Sequence, residues 1–416
     1  MSSAMGGNTE GEMSQEAAAA AWRAARTQKS CLHSGKPEGD SESSKATPST
    51  GWGPMEATWR AGTLPFRLAH NTLALNWKAR TRPTWNKQLD QAVVSLKTCY
   101  CNTPLNASLI RYIADRSVPA SLIPDNVGRV SQDLGGDLKV AWTFPGALKH
   151  HADAERFILY VHSPFYTSSG SSIRGLTSRL ALACTAAVLT VDYRSPPEEE
   201  RESAVQDLIK AYRWLLTQPA VTPANVIVMA DGLGAALALN VLADLRASEA
   251  AAGHADSSLP VGCAFMSPWV SLADASPSWD KHGATDFLHR RVCDFVAAGY
   301  AGLSDPSDPP ASPAAGDLAG LPSTFVSVGA CEVLYDQAAA FARRLGGAGV
   351  QVELDEGEEM PHAFQLFAGM APACEAGILR IAAFTRRVAP GHLAINAQSD
   401  ALMGLQSDAF GGDDRW

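Results

Sequence analysis

Six short clusters in this chain follow an apolar run and carry polar chemistry. They are His162-Ser163-Pro164-Phe165-Tyr166, Asp192-Tyr193-Arg194-Ser195-Pro196-Pro197-Glu198, Ala230-Asp231-Gly232-Leu233-Gly234, Ser267-Pro268-Trp269, Gly329-Ala330-Cys331-Glu332-Val333-Leu334-Tyr335-Asp336 and Met360-Pro361-His362-Ala363-Phe364. Imidazoles and carboxylates are the usual carriers of protons in general acid–base catalysis. His162, Asp192, Glu198, Asp231, Glu332, Asp336 and His362 are therefore the residues to weigh first. The cysteines suggest no metal chemistry. None of the eight forms a CxxC pair, and Cys99 and Cys101 have one residue between them, so free thiols and no zinc site are expected.

The elements that must position these clusters alternate strand and helix from Arg156 onward. Phe157-Ile158-Leu159-Tyr160-Val161 is a continuous apolar run, as a strand covered on both faces should be. Strands are also expected over 186–191, 226–229, 263–266, 325–328 and 350–354. Between them, Ala204, Val205, Leu208, Ile209, Tyr212, Leu215 and Leu216 mark one helix face, and residues 341–345 lie on another helix. Such alternation predicts an α/β fold with a mostly parallel sheet, right-handed crossovers and helices on both faces. Ligands in such sheets bind beyond the carboxyl ends of the strands. That is where the six clusters fall. His150 and His151 precede a strand and are read as solvated, and Glu198, Glu199 and Glu200 as the exposed start of a helix.

Composition excludes several function classes. A net charge of −9, from 34 basic and 43 acidic residues, argues against nucleic-acid binding, which needs a basic face. No apolar run reaches the roughly 18 residues a membrane span requires. Residues 1–15 lack a basic start followed by an apolar core, so a cytoplasmic protein is expected rather than a secreted one. Residues 1–57 are read as a disordered tail, because 34–53 hold almost no large apolar side chain. Residues 58–150 are read as a helical front or cap segment, 151–388 as the α/β domain with a cap insertion at about 275–310, and 389–416 as a loose tail.

Taken in order and spacing, the six clusters resemble the hormone-sensitive-lipase-like esterase branch of the α/β-hydrolase fold, over roughly residues 157–388. The resemblance implies acyl-ester hydrolysis without a cofactor or metal. It implies a serine on a tight strand-to-helix turn in the pattern G-x-S-x-G, a histidine base, an acid that orients it, and backbone amides for the oxyanion. On that pattern His362 matches the histidine and Glu332 the acid, with Asp336 one helical turn on. His162 opens the oxyanion loop.

The chain departs from the pattern at two places. The elbow reads Ala230-Asp231-Gly232-Leu233-Gly234, so the nucleophile position falls on Gly232. The turn needs a small residue two places after the nucleophile. Gly234 satisfies this counting from Gly232, whereas Leu233 fails it counting from Asp231. Asp231 is therefore the family's ordinary aspartate before the serine, not a substitute nucleophile. Ser163, Pro164 and Phe165 stand where the family has three glycines, and proline has no N–H to donate. The reading that follows is a non-hydrolytic pseudoenzyme binding a small apolar or acyl-like ligand at His162, Ser163, Pro164, Phe165, Asp231 and Leu233. The alternatives are a serine-independent acid–base enzyme using His362 and Glu332, or a residual carboxylic-ester hydrolase. Nothing in the sequence specifies an oligomeric state.

Overall fold

The computed structural model describes residues 81–102, 104–115, 123–165, 173–252 and 258–391. The tail expected over 1–57, and 392–416 of the C-terminal one, lie outside the described residues. An eight-stranded sheet runs through the molecule in the order β1-β2-β4-β3-β5-β6-β7-β8. The strands are β1 (Val127–Asp133), β2 (Lys139–Pro145), β3 (Phe157–Val161), β4 (Ala187–Asp192), β5 (Val226–Asp231), β6 (Gly262–Met266), β7 (Ser323–Gly329) and β8 (Val352–Gly357). β1 pairs antiparallel with β2 and β2 antiparallel with β4. From β4 through β8 all pairings are parallel.

The central strands are apolar because helices cover both of their faces. All five residues of β3 and all six of β5 are buried. Each Val, Ile or Leu so buried contributes about 1.5–3 kcal/mol relative to exposure. The helices are α1 (Lys87–Asn102), α2 (Ala107–Asp115), α3 (Arg174–Cys184), α4 (Arg201–Leu215), α5 (Gly234–Ala252), α6 (Ser278–His282), α7 (Arg290–Ala301), α8 (Tyr335–Gly347) and α9 (Pro372–Val388). Helix α5 starts directly above the sheet. A Cβ on Gly234 would lie 2.2 Å from the carbonyl oxygen of Val161, so only glycine lets α5 approach β3 this closely.

The front segment expected to be helical over 58–150 is helical at α1 and α2 but gives way to the strands β1 and β2. Val140, Trp142 and Phe144 recur at period two and are buried, which is the strand signature on a half-covered face. β1 is the polar edge strand that pairs with β2, and its residues are half-buried or exposed. His151 is buried rather than solvated. Its ring stacks on Trp142 at 4.4 Å and 10°, and burial together with the neighbouring His150 lowers its pKa to about 4. The insertion between β6 and β7 contains α6 and α7. Among the described residues no helix is long and apolar enough to cross a membrane.

Candidate active site

Four strand ends bring the site together: β3 ends before His162 and Ser163, β5 before Gly232, β6 before Ser267 and β7 before Glu332. The loop after β8 adds His362. Gly232 has φ +49°, the strained turn that exposes a side chain above such a sheet. The elbow conformation is thus kept although no side chain is present. A Cβ built on Gly232 would lie 3.7 Å from His362 Nε2 and 3.6 Å from Ser163 Oγ, both ordinary contacts.

His362 and Glu332 form a buried pair, with Nδ1 facing Oε1 at 3.2 Å. The other carboxylate oxygen, Oε2, accepts the Ser267 hydroxyl at 2.5 Å and the Gly329 amide at 2.8 Å. Ser267 Oγ in turn accepts the Ala363 amide at 2.8 Å, one residue beyond the histidine. Glu332 is therefore fixed from two sides, and Nε2 is left aimed at the elbow. Burial by itself would lower the His362 pKa. The hydrogen bond and charge of Glu332, with the charges of Asp286 and Asp231, outweigh it and hold the imidazole above its ordinary value.

Asp286, from the insertion between β6 and β7, is fully buried beside this pair. Its Oδ1 accepts the amides of Phe287 at 2.8 Å and His362 at 3.2 Å, and its Oδ2 accepts that of Val333 at 2.9 Å. Burial pushes its carboxyl up to about 6. Sequence reasoning missed Asp286 altogether and gave Ser267 no role in the site. The Ser267-Pro268-Trp269 cluster after a strand was a signal for the latter. For Asp286 no local pattern existed. Asp336, the alternative acid, accepts the Ser278 amide at 2.7 Å and so serves α6.

The remaining candidates hold the loop that follows β3. Asp231 is buried, accepts the Tyr160 hydroxyl at 2.7 Å and the Ser163 amide, and is pushed up to about 6 by burial. The His162 ring stacks on Tyr193 at 4.5 Å, and the Tyr193 hydroxyl donates to the His162 carbonyl at 2.5 Å. Burial lowers the His162 pKa. The Pro164 carbonyl accepts Arg111 Nε at 3.0 Å, and Arg111 also grips Glu198 through two bonds of 2.9 Å. Phe165 and Leu233 are wholly buried in the core, so Leu233 offers the site its backbone rather than its side chain. A cavity of about 300 Å³ is lined in part by Trp269, Leu272, Trp279, Arg290 and Cys293 but by none of His162, Ser163, Gly232, Glu332 or His362, and its link to the elbow is the Trp269 amide, which donates to the Gly232 carbonyl at 2.9 Å.

The alpha/beta hydrolase fold family matches residues 158–366. An acetyl-hydrolase of Streptomyces hygroscopicus is 37% identical over 237 residues, which is 56% of this chain and 75% of that protein. An esterase of Acinetobacter venetianus is 30% identical over 244 residues, 57% of this chain and 77% of that one. Among solved structures, an esterase of the bacterial hormone-sensitive lipase family superposes with a TM-score of 0.65 at 27% identity, over 73% of this chain and 98% of that chain. A hormone-sensitive lipase from a metagenome library gives 0.61 at 29% identity, over 70% and 96%.

Proposed function

Because the chain belongs to the alpha/beta hydrolase family, we propose that it is a carboxylic-ester hydrolase whose proton transfers are run by His362 and Glu332. The observation that carries this is the buried pair itself. Glu332 faces Nδ1 at 3.2 Å, and Nε2 lies 3.7 Å from where an elbow side chain would begin. Burying a histidine–carboxylate pair costs free energy unless both partners are hydrogen-bonded. Here Ser267 and Gly329 complete the carboxylate's partners. The raised His362 pKa makes the imidazole a stronger base toward an attacking oxygen. The elbow supplies no hydroxyl, so that oxygen comes from another group. The name of one relative, acetyl-hydrolase, favours acetyl esters as substrates.

The test is hydrolysis of p-nitrophenyl acetate by the purified protein and by His362→Ala. Turnover that falls at least about a hundredfold in the variant supports the reading. Turnover that is absent, or equal in both proteins, overturns it. Two features favour a second reading, a non-hydrolytic pseudoenzyme that binds a small apolar or acyl-like ligand: the missing side chain at Gly232 and the missing N–H at Pro164. Saturable binding of a short acyl ester without turnover would select it.

A further inference from the structure

We infer that Ser163 carries the nucleophilic hydroxyl that the elbow lacks. This rests on the ester-hydrolase reading and adds to it the identity of the attacking atom. Two residues have exchanged places relative to the family pattern. Glycine is expected at position 163 and serine at 232; the chain has Ser163 and Gly232. The two positions face each other. The three heavy atoms nearest to a Cβ built on Gly232 are Ser163 Oγ at 3.6 Å, His362 Nε2 at 3.7 Å and Ser163 Cβ at 3.7 Å. The hydroxyl and the base nitrogen thus border the same point. With no side chain at the elbow, the Ser163 hydroxyl and His362 Nε2 border the space that side chain would fill.

The backbone at Ser163 is held for this task. Its amide donates to the Asp231 carboxylate, which the Tyr160 hydroxyl also engages at 2.7 Å. On its other side stands Pro164, whose carbonyl is fixed by Arg111 at 3.0 Å. The residue before a proline is biased away from helical backbone, so Pro164 narrows the directions in which Ser163 can present its side chain. The loss of the Pro164 N–H and the stiffening of Ser163 come from the same substitution.

The step balances with an ester and one water. As the Ser163 Oγ–carbon bond forms at the ester carbonyl, His362 Nε2 takes the hydroxyl proton and the carbonyl π electrons move to oxygen. Collapse re-forms the carbonyl, breaks the bond to the alkoxy oxygen, and His362 returns the proton to the departing alcohol. Water then attacks the acyl-Ser163 ester in the same way, releasing the carboxylic acid and the free hydroxyl. The Leu233 amide, at the start of the 19-residue helix α5, is the backbone donor nearest in sequence to the elbow for the oxyanion.

A fluorophosphonate probe transfers its phosphonyl group to an activated serine hydroxyl and releases fluoride. The full-length protein is labelled with it and the modified peptide sequenced by mass spectrometry. Phosphonylation at Ser163 is expected, lost in Ser163→Ala and strongly slowed in His362→Ala. Ser163→Ala should also lower p-nitrophenyl acetate turnover at least about a hundredfold. In the double variant Ser163→Gly with Gly232→Ser the label should move to residue 232. His362-dependent turnover that persists in Ser163→Ala, with no label at 163 in the unaltered protein, would overturn Ser163 as nucleophile while leaving the hydrolase reading intact. Absence of both label and His362-dependent turnover would sink both. The labelling site in the unaltered protein decides the matter even if a variant fails to fold.

Discussion

Asp286 adds its charge to that of Glu332 beside His362 and holds three backbone amides. Its three accepted amides tie the residue after it, the turn after Glu332 and the histidine loop to one carboxylate. The acids that face the His362 ring are Glu332, Asp286 and Asp231, and each raises its pKa. A base must be neutral to accept a proton, so activity should fall on the acid side at a pH above the ordinary histidine value. Asp286→Asn removes one of these charges. The acid limb of kcat/KM should move to lower pH, and the His362 ring resonances in an NMR titration should move the same way. The titration does not depend on turnover, and an unmoved or raised value would show that Asp286 exerts no field on the ring. The stability sign is fixed as well. A histidine whose folded pKa is raised contributes stability below its unfolded pKa, and loses it as pH rises through the folded one. Asp231 and Asp286, pushed up to about 6, keep protons that the unfolded chain loses near 4, so they too make stability fall as pH rises between those values.

At the scale of elements, Arg111 links helix α2 to two loops at the strand ends. Its guanidinium reaches the Pro164 carbonyl, the Pro196 carbonyl at 2.6 Å and both Glu198 oxygens, with little exposure of its side chain. Hydrogen bonds to charged groups contribute about 1.5–3 kcal/mol each, with less from partly exposed ones and no simple additivity. Arg111→Ala should cost about 2 kcal/mol and lower the melting temperature by several degrees. Arg111→Lys should recover little of it, because a single ammonium cannot reproduce the fork. An unchanged melting temperature would mean the clamp forms without stabilising the fold. Parts of this architecture are legible in the residues and parts are not. β3 and β5 announce themselves as unbroken apolar runs because both faces are covered. β1 does not, since Val127–Asp133 is an edge strand with polar side chains in contact with water. His362 and Glu332 are readable because their clusters follow strands in a known order. Ser267 and Asp286 act through contacts that span 65 and 76 residues of chain, and no local period records such a meeting.

At the scale of the whole molecule, the question is how much chain the fold needs. The central strands of the described sheet are covered by helices drawn from residues 174 to 388, and the core is continuous from Trp85 to Ala389. Residues 34–53 contain one large apolar side chain, Trp52, among serines, glycines, prolines and charges. Ordering a residue costs about 1–2 kcal/mol of backbone entropy, and this composition has almost no apolar surface with which to offset it. A chain that begins at Gly53 should therefore melt at the same temperature as the full one, measured by circular dichroism under the same buffer conditions. It should also keep the Ser163 label, because the residues that define the site, from Tyr160 to Ala363, remain present. A drop of more than a few degrees would show that the first 52 residues pack on the domain. Retained melting with a lost label would instead assign them to access or closure at the site.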